Sequence, residues 1–590
     1  MTSATNPQNR TYHAIAVLLL SLLVVLCLLS MRFNSPTSDE QNHVSRGYHY
    51  LVTGNLDLNV APPFVNLLSG IPLLFRKGII VPQYDVTHRK TYINEFAEQF
   101  VWVYNDAETV INSGRLAILF LSVVLGYFVF RWAKDLWGPA AGLLALFLYV
   151  LDPNILAHSQ LATTDLGLAC LVFVATYFLW RFLRWRKNRD LVLAGALVGL
   201  SLATKLNALL LLPIVGLVVV IEAVLVRDLT LRGPWPGRAW CARKQLGSRV
   251  YFVVAVLFIV AILAFLSLWA SFRFEMERLA PSPVHGTVDR FIPDGVLRHV
   301  AYELVERVPI PFPTYFSGVR WLQRYAQRGA SAFLMGQHST KGWWYYFLVA
   351  FAIKTPLPTL ALAASVLVAA LSRRRVGTPS RPDGDGETWH GCEGIERREY
   401  VLYVPMAAFF ASAVFSSLNI GYRHILPVLP FVFVLVSKAV TWADRRWVQV
   451  GLVALGLWYA VGSARIYPHY LAYFNEIVGG PDNGYKYLVD SNLDWGQDLK
   501  NLKWYMDGHD IEEIYLAYFG SAYPSYYGIQ AVPLPTEQPK DLESRTPAVY
   551  AISATYLQSG YLGDEDSFRW LQRYEPFAKI GYSILLYRLP

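Results

Sequence analysis

Eleven apolar runs constrain the fold of this 590-residue chain more than any other feature of its sequence. A helix needs about 20 mainly apolar residues to cross a bilayer. The runs are 13–31, 111–130, 138–152, 165–183, 191–204, 206–226, 251–271, 343–371, 401–417, 424–442 and 448–466. The third and fifth are short, and we expect them to be tilted, broken or buried by neighbours. Only 16% of the residues are charged, which is too few for an ordinary soluble domain. The sequence therefore predicts a mainly α, polytopic membrane helix bundle.

The basic residues are distributed unevenly between the two faces of the predicted bundle. The segments between alternate runs contain 21 Lys and Arg residues, whereas the short connections on the other face contain only Lys205 and Arg423. This positive-inside asymmetry explains the net charge of +9 without a nucleic-acid partner. We expect the first helix to be retained, the N-terminus to be cytoplasmic, and the C-terminal segment to lie outside after eleven crossings.

Three long segments lie on the predicted outer face. The membrane module, residues 1–466, has outer loops at 32–110 and 272–342, and both are longer than ordinary connections. Residues 467–590 are numerous enough for a small domain. The Pro/Gly-rich cytoplasmic stretch 377–387 is expected to be flexible.

The C-terminal segment mixes helical and strand-like patterns. Residues 492–506 read as a helix, and the strand-like segments are 512–519, 547–557 and 582–589. We expect a small extracytoplasmic α/β domain. None of the four cysteines falls in the outer segments, so a disulfide framework is not expected, and a bacterial inner membrane is the expected location.

Two adjacent acidic residues, Asp39 and Glu40, open the first outer loop. Thr37 and Glu40 have the spacing of a helix capping box, and acidic residues are favoured in a first helical turn. A carboxylate here could instead face a lipid-borne substrate. The apolar, proline-interrupted stretch 55–75 further along the loop reads as a helix that lies on or dips into the bilayer surface. Both interpretations of the acidic pair are open from the sequence.

Asp165 stands at the outer mouth of the fourth apolar run, on the same predicted face as Asp39 and Glu40. Thr164 or Asp165 could simply cap that helix. Three carboxylates at one depth could alternatively perform acid–base chemistry or bind a divalent cation through oxygen ligands.

Basic and polar side chains occupy the same face. Lys205 interrupts a long apolar stretch, where an ionisable group either snorkels or has a function, such as holding a phosphate. Arg423 and His424 stand where a short loop enters the tenth run. Arg suits phosphate because its planar fork donates in pairs, although an interfacial anchor is the alternative. Gln337 and His338 precede a belt of aromatic residues and could point into an outer cleft.

Several familiar catalytic motifs do not occur. No Walker loop, GxGxxG, HExxH or GxSxG context is present, which argues against nucleotide-driven pumps and common hydrolases. A lipid or polysaccharide transporter or flippase is the alternative function. It is disfavoured because the charges gather at one face and the two halves do not match. A non-catalytic scaffold would not need these charges.

The order of the motifs is specific. SDEQNH (38–43) is followed by LDPNILAHSQLATTD (151–165), GLSLATKLNALLLLP (199–213), FLMGQHSTKGWWYYF (333–347) and NIGYRHILPVLPF (419–431). Over about residues 13–466 the chain resembles the GT-C membrane glycosyltransferases, in the branch of the protein O-mannosyltransferases and the bacterial lipid A aminoarabinose transferase. The tail, with DSNLDWGQDL (490–499), is similar to tails of uncharacterised bacterial members.

The resemblance implies a polyprenyl-phosphate-linked sugar as donor, a lipid, glycan or protein acceptor, and inversion at the anomeric carbon on the extracytoplasmic face. It implies that Asp39 is the general base, that Glu40 supports or orients it, and that Asp165 is the acid of the second outer loop. Lys205 and Arg423, with His424 beside them, would bind the donor phosphate.

The resemblance leaves the cofactor open. Some relatives hold a divalent metal with these loop acids and others need none, so Asp39, Glu40 and Asp165 are the ligands expected if a metal is present. Where the family often has a His before a Pro pair, this chain has Ala61. We also expect partial desolvation to raise the pKa of Asp39 towards that of a useful base.

Overall fold

Helices dominate the part of the chain that the computed structural model describes. These residues are 7–58, 62–84, 92–225, 229–232, 239–242, 246–278, 295–373, 396–538, 549–558 and 567–588. The stretch 377–387, expected to be flexible, lies outside them. Within them, seven helices are long and apolar enough to cross a membrane: Arg10–Met31, Ala107–Trp137, Thr164–Trp185, Leu206–Leu225, Leu246–Ser271, Tyr422–Trp442 and Arg446–Ile466. The predicted polytopic helix bundle is confirmed, and the chain is a multi-pass membrane protein.

Two further apolar helix pairs are sharply bent. Pro139–Leu151 and Pro153–Ser159 meet at 64°, and Tyr346–Lys354 and Leu357–Ala369 meet at 111°. A proline stands at each break. Because proline lacks the backbone N–H and disfavours a helical residue before it, it interrupts the hydrogen-bond ladder there. If each pair forms one span, the described spans number up to nine.

The two remaining apolar runs form helices that are shorter than a span. Asn188–Leu202 and Tyr400–Val414 each have 15 residues, or about 22 Å at ~1.5 Å per residue, against a hydrocarbon core of about 30 Å. By length and composition, the described residues contain seven spans, or up to nine with the bent pairs. Helix Asn188–Leu202 nevertheless returns the chain to the face it left, because Lys205 beyond its end pairs with Asp165 at the start of span Thr164–Trp185, and the count of eleven crossings stays a prediction.

Both predicted outer loops contain regular structure. The first holds Glu40–Thr53, Phe64–Gly70, the 3-10 helix Ile71–Phe75, Tyr92–Glu98 and the π-helical turn Gln99–Val103. The second holds helices Val296–Arg307 and Pro313–Arg328 and the paired strands Met276–Glu277 with Ile310–Pro311 and Ala332–Leu334 with Gln337–Ser339. A separate hairpin pairs Leu229–Arg232 with Ala239–Ala242. The apolar segment Phe64–Phe75 is too short to span and exposes Phe75 at 83%. Its position at the bilayer surface stays a prediction.

A small mixed sheet forms near the C-terminus, as predicted. Its strands lie in the spatial order Ala578–Ile580, Ile584–Arg588, Val549–Ser553, Glu513–Ala517 and Gln530–Pro533. The last three pair in parallel and the other neighbours are antiparallel. Short helical turns occupy Tyr470–Ala472, Glu476–Val478, Pro481–Lys486, Asp490–Asn492, Pro524–Tyr527, Ala554–Leu557 and Arg569–Arg573.

The helix predicted at 492–506 begins later, at Leu499, and ends at Gly508. Gly496 has a φ of 87°, a left-handed conformation that breaks a helix and favours glycine. Residues 493–498 therefore form a loop between the turn Asp490–Asn492 and this helix. One buried apolar cluster contains residues from both sides of position 466, among them Leu426 and Trp495, and the division into domains 1–466 and 467–590 stays a prediction.

Candidate active site

Asp39 and Glu40, although adjacent, point to different surroundings. Asp39 precedes helix Glu40–Thr53 at its N-cap position, but its side chain makes no capping hydrogen bond. The capping contact is made by Glu40, whose Oε2 accepts from the backbone N–H of Thr37 at 2.8 Å. The capping interpretation therefore applies to Glu40. The side chain of Asp39 is 40% exposed, so Asp39 is the member of the pair that a substrate could reach.

Glu40 is a buried structural junction, with 0% of its side chain exposed. Its two carboxylate oxygens accept from Arg115 Nε and Nη2, both at 2.8 Å, and Oε1 also accepts from the backbone N–H of Ala162 at 2.8 Å. Arg115 donates in turn to the carbonyls of Asn34 and Ser35. Sequence reasoning misses Arg115, although a charge inside an apolar run is the same signal that identifies Lys205.

Four charged side chains form a continuous ion-pair chain beside this junction. Asp39 Oδ2 lies 2.7 Å from Arg423 Nη1, which lies 4.0 Å from Asp165 Oδ2. Asp165 Oδ1 in turn accepts from Lys205 Nζ at 2.6 Å. The structure thus brings together two carboxylates and two cations that are separated by up to 384 positions along the chain, and alternating signs allow all four to be charged.

Helix ends and breaks position these groups. Asp165 lies in the first turn of Thr164–Trp185, and Lys205 is the extended residue between Asn188–Leu202 and the turn Leu206–Leu210. Arg423 follows Gly421, where a Cβ atom would lie 2.1 Å from Ser491 Oγ. A side chain at position 421 would therefore displace the Ser491 hydroxyl, which donates to the Ile420 carbonyl and joins the C-terminal segment to the Arg423 loop.

The C-terminal segment contributes a residue that the sequence does not assign to the site. The Arg423 guanidinium carbon lies 4.3 Å from the centroid of the Trp495 ring, a cation–π geometry. The nearby Tyr422 N–H donates to Asn492 Oδ1 at 2.9 Å. The motif DSNLDWGQDL marks this stretch, but nothing in the sequence connects it with Arg423.

Burial would by itself raise the pKa of the Asp39 carboxyl, but the charge and hydrogen bond of Arg423, together with the nearby His43, outweigh it and hold the pKa below its usual range. The expected upward shift is therefore wrong for this arrangement, because the Arg423 cation contacts the carboxylate and favours its ionised form. His43 itself bonds Asn66 Oδ1 at 2.9 Å.

The acids do not form a metal site. Within the described ranges, no group of three or more His, Cys, Asp and Glu side chains could hold a metal ion. Glu40 is bound to Arg115, and Asp39 and Asp165 are each bound to a cation. A divalent cation would be repelled by Arg423 and Lys205 and would have to displace them, so these residues do not fit a metal.

An apolar groove adjoins the ion-pair chain. It has a volume of about 270 Å³, and its lining includes Leu206, Phe347, Phe409 and His424. His424 Nε2 is buried and lacks a hydrogen-bond partner within the described part of the chain, as does Arg423 Nε. A ligand that accepts hydrogen bonds could use both.

Gln337 and His338 lie in the strand Gln337–Ser339 of the second outer loop. Gln337 is exposed, and the His338 ring packs 5.2 Å from Phe333. The hairpin is tied to the C-terminal segment by the Met335 N–H, which donates to the Tyr487 carbonyl at 3.0 Å. A role for Gln337 and His338 in the cleft stays a prediction.

Residues 106–242 match the model of the family described as dolichyl-phosphate-mannose-protein mannosyltransferase. The matched segment contains Asp165 and Lys205, whereas Asp39 and Arg423 lie outside it. The match confirms, over these residues, the resemblance that the order of the motifs indicates. No curated protein sequence matches the chain.

Two solved structures are similar to this chain at low identity. ArnT from Cupriavidus metallidurans bound to undecaprenyl phosphate is 12% identical, with 97% of each chain covered and a TM-score of 0.41. The oligosaccharyltransferase AglB from Archaeoglobus fulgidus, in complex with an inhibitory peptide and a dolichol-phosphate, is 12% identical. There the alignment covers 95% of this chain and 72% of that chain, with a TM-score of 0.39.

Proposed function

We propose that this protein is a polyprenyl-phosphate-dependent glycosyltransferase that moves a sugar to an acceptor hydroxyl on the extracytoplasmic face, with inversion at the anomeric carbon. The observation that carries the proposal is the ion-pair chain Asp39–Arg423–Asp165–Lys205 at the ends of apolar helices. It combines a half-exposed carboxylate with two cations suited to a phosphate. The family match over residues 106–242 supports the same reaction class.

The donor phosphate would bind between Arg423 and Lys205. Their side chains are 13% and 23% exposed, and the guanidinium retains an unused Nε donor. His424 would add a further contact, and the adjoining apolar groove would accept the first part of the isoprenoid chain. The ion-pair chain contains two carboxylates and two cations. It therefore has no net negative charge of its own that would repel an added phosphate.

Asp39 would act as the general base. It would take the proton from the acceptor hydroxyl while that oxygen attacks the anomeric carbon and the bond from that carbon to the phosphate oxygen breaks. The leaving phosphate would keep the electron pair, stabilised by Lys205 and Arg423. A bound phosphate competes with Asp39 for Arg423, which would raise the pKa of Asp39 when the donor is in place. Base strength would thus increase as the donor binds.

We further propose that the membrane module, residues 1–466, lies in an inner membrane with its N-terminus in the cytoplasm. The domain 467–590 would then lie outside. The asymmetry of basic residues supports this orientation. It places the ion-pair chain on the extracytoplasmic side.

A transporter or flippase remains the alternative function. The helix pairs bent by 64° and 111° favour it, because broken helices line the substrate paths of many transporters. A flippase would move an intact lipid-linked sugar and release no lipid phosphate. The two functions therefore differ in their products.

The test incubates the purified protein in vesicles with polyprenyl-phosphate sugars labelled in the sugar and with candidate acceptors. The proposal expects label on an acceptor, or free sugar from slow hydrolysis, together with free polyprenyl phosphate. Lys205→Met should weaken binding of polyprenyl phosphate at least about tenfold, because a charge-assisted contact is lost. Lys503→Met, which breaks only the pair of Lys503 with Asp507 one turn along its own helix, should not. Movement of intact donor between leaflets without release of lipid phosphate would refute the transferase and establish the alternative.

A further inference from the structure

The loop 494–498 of the C-terminal segment is hydrogen-bonded to the turn that precedes Asp39. The Ser35 N–H donates to the Gln497 carbonyl at 2.9 Å, and the Ser38 N–H donates to the Trp495 carbonyl at 3.1 Å. Ser35 Oγ also donates to the Gly496 carbonyl at 3.0 Å. These bonds join segments more than 450 positions apart in the chain, and they end one residue before Asp39.

Trp495 contacts Arg423 and the residue that precedes Asp39. Its carbonyl holds Ser38, the residue before Asp39, and its ring lies under the Arg423 guanidinium at 4.3 Å. The side chain is 2% exposed, so it cannot stack on a substrate. Its contacts are those of a group that acts through Arg423 and the Asp39 turn.

The loop is itself fixed to the C-terminal sheet. Asp494 Oδ2 accepts from the Thr555 N–H at 2.9 Å, at the end of strand Val549–Ser553. The Trp495 N–H donates to Gln497 Oε1 at 2.8 Å. The position of Trp495 is therefore determined by the C-terminal sheet, and the sheet in this way reaches the ion-pair chain.

We propose that Trp495 is a positioning residue, through which the C-terminal segment holds Arg423 and the Asp39 turn in register for transfer. The proposal deepens the function proposed above and rests on it for its catalytic consequence. The geometric part, that Trp495 keeps Arg423 against Asp39, is independent of the reaction.

Loss of the indole has a specific electrostatic consequence. Six charged or titratable groups interact with the Asp39 carboxyl: Arg423, His43, Arg46, Asp165, His424 and Tyr325. Only Arg423 rests on Trp495. Without the ring, the Arg423 side chain can adopt other rotamers and contacts Asp39 for less of the time. The pKa of Asp39 therefore rises towards its usual value. The acid limb of kcat/KM, which requires ionised Asp39 in the free enzyme, then moves to higher pH.

The test compares Trp495→Leu and Trp495→Phe with the control Trp504→Leu, which removes an exposed indole of the same segment that packs on Phe33. We expect Trp495→Leu to raise the KM for the lipid-linked donor at least about tenfold and to shift the acid limb upward. Trp495→Phe, which keeps an aromatic face, should recover most of both. A KM and a pH profile equal to those of Trp504→Leu would overturn the proposal.

A second measurement does not depend on transfer. Asp39→Cys is made in a chain in which Cys241 and Cys392 are replaced by Ser, while Cys27 and Cys170 remain because both are buried. The pH dependence of maleimide labelling then reports the pKa of the new thiol. We expect Arg423 to hold it below about 8.5, the usual value for cysteine, and Trp495→Leu to raise it.

An unchanged thiol pKa in Asp39→Cys/Trp495→Leu would overturn the inference even in an active enzyme. Conversely, a wild-type protein that transfers no sugar but whose Asp39→Cys thiol responds to Trp495→Leu would refute the proposed function and support the positioning role. The two failures are therefore distinguishable.

Discussion

At the scale of single residues, the surroundings of each charged side chain determine its role. Asp39 and Glu40 have the same functional group and adjacent positions, yet Glu40 is enclosed by Arg115 and backbone donors while Asp39 is half-exposed beside Arg423. The direction of each side chain at the start of helix Glu40–Thr53 produces this difference. Only the carboxylate of Asp39, which is accessible from solvent, can take a proton from a substrate.

Breaking the Glu40–Arg115 pair should lower the stability of the fold more than it affects the transfer reaction directly. Glu40→Gln would leave a guanidinium that is 1% exposed without its counter-charge, and removal of one partner of a buried pair costs about 3–5 kcal/mol. We expect a clear fall in the Tm of the purified protein. Glu40→Gln combined with Arg115→Met should recover much of the loss. A Tm equal to that of the wild type in Glu40→Gln would show that the pair is not a stabilising junction.

The sequence identifies the members of the ion-pair chain but not their order. Asp39, Asp165, Lys205 and Arg423 were recognisable because charges are rare in or beside apolar runs. Which acid pairs with which cation depends on distances across the bundle, which no local pattern records. The lowered pKa of Asp39 was unpredictable for the same reason, since its sign depends on the contact with Arg423.

At the scale of elements, the breaks in the helices matter more than their lengths. Lys205 is available at the site because Asn188–Leu202 ends before it. All eleven apolar runs are helical, as hydrophobicity predicts, and the fifth is short, as its sequence indicates. The sequence did not show that helix Tyr400–Val414 would also have only 15 residues. It also placed the start of helix Leu499–Gly508 too early, because the pattern of residues 492–506 does not show that Gly496 adopts a left-handed conformation.

Gly496 should not tolerate a side chain. A left-handed backbone costs a residue other than glycine about 1–2 kcal/mol, and a Cβ would lie 2.7 Å from Tyr518 Oη and 2.8 Å from Gly520 Cα. We expect Gly496→Ala to lower the Tm and, by displacing the loop under Arg423, to weaken transfer. Gly508→Ala is the matched control, because a Cβ there meets no atom within 4 Å. Equal effects of the two substitutions would contradict the account of the loop.

At the scale of the whole molecule, fold class was the most predictable property. Runs of apolar residues and the C-terminal alternation determine a helix bundle with a small sheet, because burial of apolar surface needs no knowledge of partners. The close contact between the sheet and the Asp39 turn was not predictable, since it depends on hydrogen bonds between distant segments such as Ser35 and Gln497.

The orientation of the bundle gives a direct expectation for labelling. Gln530→Cys places a thiol on the exposed edge strand of the C-terminal sheet, and Arg445→Cys places one in an exposed basic segment between spans. A membrane-impermeant maleimide should label the first in intact cells and the second only after permeabilisation. The unsubstituted chain controls for its own four cysteines. The reverse pattern would contradict the proposed topology.

The central claim is that Asp39 activates the acceptor at a lipid-phosphate site, and the initial transfer rate of Asp39→Asn tests it most directly. Asp57→Asn, an exposed acid in the same outer loop, is the control. We expect Asp39→Asn to fold, to bind polyprenyl phosphate and to transfer sugar at least about 100-fold more slowly than the wild type, the size of a general-base contribution, while Asp57→Asn keeps the wild-type rate. Transfer by Asp39→Asn at the wild-type rate would contradict the account.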